Sequence, residues 1–219
     1  MKLLKYITLV IALVLFAGCS STYITSTWKA SEVTAKKYNK VMVVGIIREA
    51  DRTVKQKMEG HLVDDLKALG YNAVSAFNVY GPRAFQDMEE SMITSKLANE
   101  DVDAVLTIVL LDKEKERYYT PGRVIYSPYV TYHYRFPGYY RSLYYRIDEP
   151  GYYNVSTKYF WESNFYDVKE NKLIYSVQTE SFDPSSTDNL AHQYGQKIID
   201  VMVKDKVLGK QENIIAKAL

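Results

Sequence analysis

Val41-Met42-Val43-Val44-Gly45-Ile46-Ile47 (VMVVGII) runs for seven residues without a polar side chain. A short continuous run of β-formers implies a strand buried on both faces, so it predicts the first core strand. Asp103 to Leu111 (DAVLTIVLL) repeats the pattern and predicts a central parallel partner. Between the two runs, Val54, Met58, Leu62, Leu66 and Leu69 share one face of a helix that ends before Gly70, with Thr53 and Gln56 at capping-box spacing. Tyr71 to Ala76 predicts a strand, the NVYGPR stretch with Gly81-Pro82 a loop, and Asp87 to Asn99 a helix with Met88, Met92, Ile93 and Leu97 inward. The order is βαβαβ.

Further along, Tyr153 to Val168 alternates, with Val155, Thr157, Tyr159, Trp161 and Phe165 on one face. The turn Lys169-Glu170-Asn171-Lys172 leads into Leu173 to Phe182, which predicts an antiparallel hairpin added to the sheet. A closing helix starts near Ser185 or Ser186 and uses Leu190, Tyr194, Ile198, Val201 and Met202. The expected fold is α/β, a three-layer sandwich with a mixed sheet and helices on both faces. One domain spans residues 38–208, an insertion occupies 117–153 within it, and 209–219 form a tail.

The amino-terminal end decides the address. Lys2 and Lys5 precede an apolar run from Tyr6 to Phe16, and Ala17-Gly18 stand just before Cys19. The run falls well short of the roughly 20 residues a spanning helix needs, and the layout is that of a secretion signal. Small residues followed directly by cysteine resemble the lipobox of bacterial lipoproteins, which implies cleavage after residue 18 and a diacylglycerol-modified, N-acylated Cys19. Ser20 to Thr27 (SSTYITST) are polar, small and without clear period, and residues 19–37 are expected to be a lipid-anchored tether. Ser20 stands where aspartate would signal retention in the inner membrane by the sorting rule of enteric bacteria. The expected location is therefore the outer membrane, facing the periplasm.

Composition excludes several functions. Lys2 and Lys5 leave with the signal, so the 28 basic residues fall to 26 against 26 acidic. A neutral mature chain gives no support for nucleic-acid binding. The only cysteine is Cys19, so no internal disulfide forms and the core must hold the fold alone.

The strand KVMVVGII, the helix end DDLKALGYNAVSA, the strand DVDAVLTIVLLDKE and the hairpin YDVKENKLIYSVQTES together resemble a widespread class of bacterial envelope lipoproteins. Their α/β core is similar to the TolB amino-terminal domain, the curli-secretion lipoprotein and the penicillin-binding-protein activator lipoproteins. The resemblance implies an accessory or assembly role in the envelope and carries over no catalytic residue.

The insertion holds the chemistry that stands out. Tyr126, Tyr129, Tyr132, Tyr134, Tyr139, Tyr140, Tyr144 and Tyr145 are interleaved with Arg135 and Arg141, and no acidic residue occurs from Tyr118 to Ile147. Tyrosine and arginine dominate interfaces because each covers apolar area and keeps a polar tip. Arginine also pairs with carboxylate or phosphate, and tyrosine faces stack on sugars. These residues are the expected binding surface for an envelope protein or glycan, against the alternative of a loop that orders on its own domain. Pro121-Gly122, Pro128, Pro137-Gly138 and Pro150-Gly151 argue against long strands in it. A subunit of a secretion or export ring, hence a homo-oligomer, is a further alternative.

For catalysis the inventory is thin. His61, His133 and His192 show no metal-ligand spacing, and no G-x-S-x-G, P-loop or dinucleotide motif occurs. Asp64-Asp65, Glu89-Glu90 and Glu114 with Glu116 are expected on solvated faces. No cofactor or metal is implied, and the expected protein is not an enzyme, an envelope hydrolase acting on glycan being the rival. A small-molecule crevice, if present, belongs beyond the carboxyl ends of the parallel strands, near Arg48, Glu49, Asp51 and Asp112.

Overall fold

The structure is a computed structural model that describes residues 21–31, 33, 36–124 and 134–210. The chain forms two compact units, one of Glu114–Thr157 and the other of the chain on either side of it.

In the larger unit, β2 (Val41–Ile46), β3 (Ala73–Ser75) and β4 (Ala104–Thr120) are parallel, with β2 in the middle. The chain moves from β2 to one neighbour and then across to the other. Right-handed crossovers then put the intervening helices on opposite faces. α1 (Arg52–Ala68) lies on one face; α2 (Ala76–Tyr80) and α3 (Glu90–Asn99) lie on the other. The hairpin of β7 (Tyr152–Asp167) and β8 (Lys172–Phe182) joins the sheet at β4, where Asp103 O accepts from Val168 N at 3.0 Å. The closing helix α5 (Thr187–Lys204) starts at Ser186, whose Oγ accepts from Asn189 N at 3.0 Å. The result is the α/β mixed-sheet sandwich expected, with β1 (Thr22–Lys29) at one edge and six strands in the order β1-β8-β7-β4-β2-β3.

The main core lies between this sheet and the α1–α5 layer. Met58, Leu62 and Leu66 meet Leu190, Tyr194 and Ile198 over Val43, Leu106, Trp161 and Phe165, all buried. Each large side chain so buried contributes about 1.5–3 kcal/mol. Tyr194, inside it, exchanges a 2.6 Å hydrogen bond with Ser163; burial raises its pKa. A smaller core of Met42, Val44, Ala76, Leu97 and Val102 sits on the other face.

Several expectations are corrected. The stretch expected as a tether contains β1 (Thr22–Lys29), which pairs antiparallel with β8 at the sheet edge. An edge strand needs one partner ladder and little apolar surface, so its serines and threonines hid it. Thr22 is buried, with its hydroxyl 2.9 Å from that of Ser181, while Tyr23 and Trp28 are exposed. The NVYGPR loop begins inside α2, capped by Ser75 accepting from Asn78 N. α3 starts at Glu90 because Phe85 and Asp87 hold positive φ values of 63° and 57°, and Met92 faces solvent. Asp51, not Thr53, stands at the N-cap of α1, without a side-chain cap bond. Val155 is exposed.

In the smaller unit, β4 stops at Thr120, just before Pro121-Gly122, and β7 starts at Tyr152, just after Pro150-Gly151, so these two breaks bound the strands as expected, although the strands they bound are long. β5 (Arg123–Val124) pairs with β6 (Asp148–Glu149), and α4 (Phe136–Ile147) lies between them in sequence. Pro137, expected as a break, instead falls in the first turn of α4, where its missing N–H costs nothing.

Candidate functional site

Two features of the described residues have the character of a site, one in each unit. The first is a cavity of about 660 Å3 at the carboxyl end of β2 and beside the first half of β4, within the range of about 300–1,000 Å3 usual for small-molecule sites. It lies where the connections from the sheet diverge, the position at which open α/β sheets place ligands. Val105, Thr107 and Val109 of β4 line it and are only partly buried, although β4 is an interior strand. α3 closes one side through Ile93 and Leu97, and Pro82 to Gln86 form another wall.

Lys55 and Glu59, four residues apart on α1, organise the end of β2. Both are buried. Glu59 Oε1 accepts from Gly45 N at 2.8 Å, and Oε2 accepts from Ser75 Oγ at 2.6 Å and Phe77 N at 2.8 Å. Burial raises its pKa, opposed by these three donors and by the Lys55 charge. The carboxylate thus fastens β2, β3 and α2 to α1. Lys55 Nζ donates to Pro82 O at 2.9 Å, both residues lining the cavity. Neither had been singled out from the sequence. The available signal was a charged i, i+4 pair next to the apolar stripe of α1.

Of the crevice residues expected from the sequence, Arg48 lines the cavity. Asp51 and Asp112 are not in its described lining. Glu49 and Asp51 belong to a 3-10 turn, Asp51 pairs with Lys113 at 3.5 Å, and the Asp112 carboxylate accepts from Lys113 N at 2.7 Å.

The second feature is α4. Phe136, Tyr140 and Tyr144 follow at i, i+4 and i+8, are exposed, and hold ring centroids 6.0 and 5.9 Å apart. With Pro137 and Arg141 they line an open groove of about 450 Å3. Tyr134 and Arg135 precede the helix and are exposed, as are Tyr139 and Arg141 on it. Cys19, Tyr126, Tyr129 and Tyr132 lie outside the described residues, as does the Tyr145 side chain.

A third cluster was missed by sequence spacing. His61 of α1 and His192 of α5 stand edge to face, 5.7 Å between ring centroids. Asp65, one turn on, buries Oδ2 without a hydrogen-bond partner. Burial raises its pKa, while the two histidines pull it down. Of the carboxylates expected on solvated faces, Asp65 is thus the exception, because α5 covers it.

No protein-family model and no curated protein matches the chain. Solved structures similar to it include the PelC dodecamer from Paraburkholderia phytofirmans, at 10% identity and TM-score 0.44 over 81% of this chain and 94% of that one. Lipoprotein GNA1162 from Neisseria meningitidis is another, at 12% identity and TM-score 0.41 over 76% and 99%. These are partial likenesses of fold, and no assembly or residue role is taken from them.

Proposed function

We propose that this chain is a non-catalytic, lipid-anchored protein of the bacterial outer membrane, facing the periplasm, that binds a protein partner through α4. The observation that carries this reading is the exposed Phe136-Tyr140-Tyr144 stripe. Three large aromatics in water at helical spacing contribute little to their own unit, and aromatic and arginine side chains are the usual anchors of an interface. The absence of acidic residues from Tyr118 to Ile147 favours an acidic partner face. In support of binding over hydrolysis, the described lining of the cavity contains no Asp or Glu, whereas glycoside hydrolysis uses two carboxylates in one cleft.

A second reading, an acidic glycan as occupant, is favoured by one detail. The Tyr140 and Tyr144 rings lie within 22° of parallel, the geometry of a platform for sugar faces. A photoreactive phenylalanine at position 140, activated in the producing cells, tests the first reading. It is expected to yield a discrete protein adduct that Arg141→Glu abolishes. An adduct with glycan alone would favour the second reading, and no adduct would remove both. Intact mass of the mature chain tests the anchor: a start at Cys19 with added lipid mass is expected.

A further inference from the structure

We infer that the cavity at the carboxyl end of β2, beside the first half of β4, binds a single-chain amphiphile, its alkyl chain inside and its anionic head, a carboxylate or phosphate, on Lys55. This site is independent of the α4 surface.

The inference rests first on shape and chemistry. The cavity is walled by Val44, Ile46, Val105, Val109, Ile93 and Phe85, so most of its surface offers no hydrogen bond. Ile46 is 57% exposed although it ends a central strand. Leaving such surface uncovered on a sheet interior forgoes the stabilisation of burying it, and an alkyl chain would recover that.

Second, the charges are one-sided. Every ionisable residue in the described lining of the cavity is cationic, namely Arg48, Lys55 and Arg83. Lys55 is the telling one, at 6% exposure. A buried ammonium needs partners, and the neutral Pro82 carbonyl supplies one acceptor for three N–H groups. The nearby Glu59 carboxylate has its oxygens engaged by Gly45, Ser75 and Phe77. An anionic head arriving from the cavity would complete the Lys55 shell.

Third, the site is built. The Lys55 stem reaches it because Gly45 has no side chain: a Cβ there would stand 2.9 Å from Lys55 Cγ. Phe85 lines the wall at a φ of 63°, a strained conformation of the kind that gathers at ligand sites. Its ring is held 5.3 Å from that of Tyr80.

The test is displacement of dansylundecanoate from the purified full chain by dodecanoate, by dodecyl phosphate and by methyl dodecanoate. At least one of the two anions is expected to displace the probe ten times more strongly than the ester, and the stronger one identifies the head. Lys55→Met is expected to erase that tenfold preference while leaving the ester unchanged, an outcome that general loosening of the fold does not produce. Val105→Trp fills the cavity and is expected to abolish binding of all three, and Val109→Phe serves the same end if the tryptophan does not fold. Failure of both anions to displace the probe would overturn the inference. So would equal displacement by the ester, or binding unchanged in the filled variants.

Discussion

Gly45 N–H donates to Glu59 Oε1 at 2.8 Å, and a Cβ on Gly45 would stand 3.0 Å from that same oxygen. The central strand and the helix covering it are thus in contact through a residue that has no room for a side chain. Gly45→Ala pushes against Glu59 and the Lys55 stem together, and overpacking of this kind costs about 1–3 kcal/mol. The expected result is a melting temperature lower by several degrees with the fold retained, measured by circular dichroism. An unchanged melt would mean that α1 yields freely at this point.

Glu59→Gln tests the three-donor cradle. One amide oxygen can serve Ser75 and Phe77 as Oε2 does, but the amide nitrogen then faces Gly45 N–H, donor against donor. The expected loss is about 1–3 kcal/mol, read from urea unfolding. A variant as stable as the parent would show that the Gly45 N–H bond to Glu59 contributes nothing measurable.

Asp65 predicts a pH dependence with a defined sign. Its pKa is raised in the folded chain, chiefly by burial, with Asp64 and Asp200 adding to the rise and His192 and His61 opposing it. The stability it contributes is therefore full below the ordinary carboxyl value, about 3.9, and is lost as pH rises through the raised one. Asp65→Asn cannot ionise. The variant should gain melting temperature relative to the parent between pH 4 and pH 7, and a difference that stays flat or shrinks would contradict the burial.

The division into two units predicts the outcome of an excision. Replacing residues 118–152 by a short Gly-Ser turn leaves β4 and β7 joined where Asn164 N donates to Thr107 Oγ1 at 3.1 Å and Val168 N to Asp103 O. Calorimetry is expected to show one cooperative transition within a few degrees of the parent. A drop of many degrees would mean that the tyrosines stabilise the larger unit.

How far the sequence could be read depended on what each element buries. β2, the first half of β4, the β7–β8 hairpin, α1 and α5 were legible because their apolar residues repeat at strand or helix period. β1 was not, since only Thr22, Ile24 and Lys29 in it are buried or half-buried and its partner supplies the rest through the backbone. α4 was obscured by Pro137-Gly138, which reads as a break unless the helix is known to start there. Of the residues that topology puts near a crevice, Arg48 lines the cavity, while Asp51 and Asp112 are not in its described lining. Lys55 and Glu59 were passed over because a charged i, i+4 pair is usually solvated, and only the approach of Gly45 and Pro82 shows that this one is not. His61 and His192, 131 positions apart in sequence by their numbering, meet only through the packing of α1 on α5.

The central claim, that α4 is a docking surface for another molecule, is tested most directly by recovery of the position-140 adduct partner on two bait proteins. One is the parent chain and the other carries Phe136→Ser, Tyr140→Ser and Tyr144→Ser, the two compared at equal amounts of folded protein. Recovery at least tenfold lower on the triple variant is the predicted result. Equal recovery by both would contradict the claim.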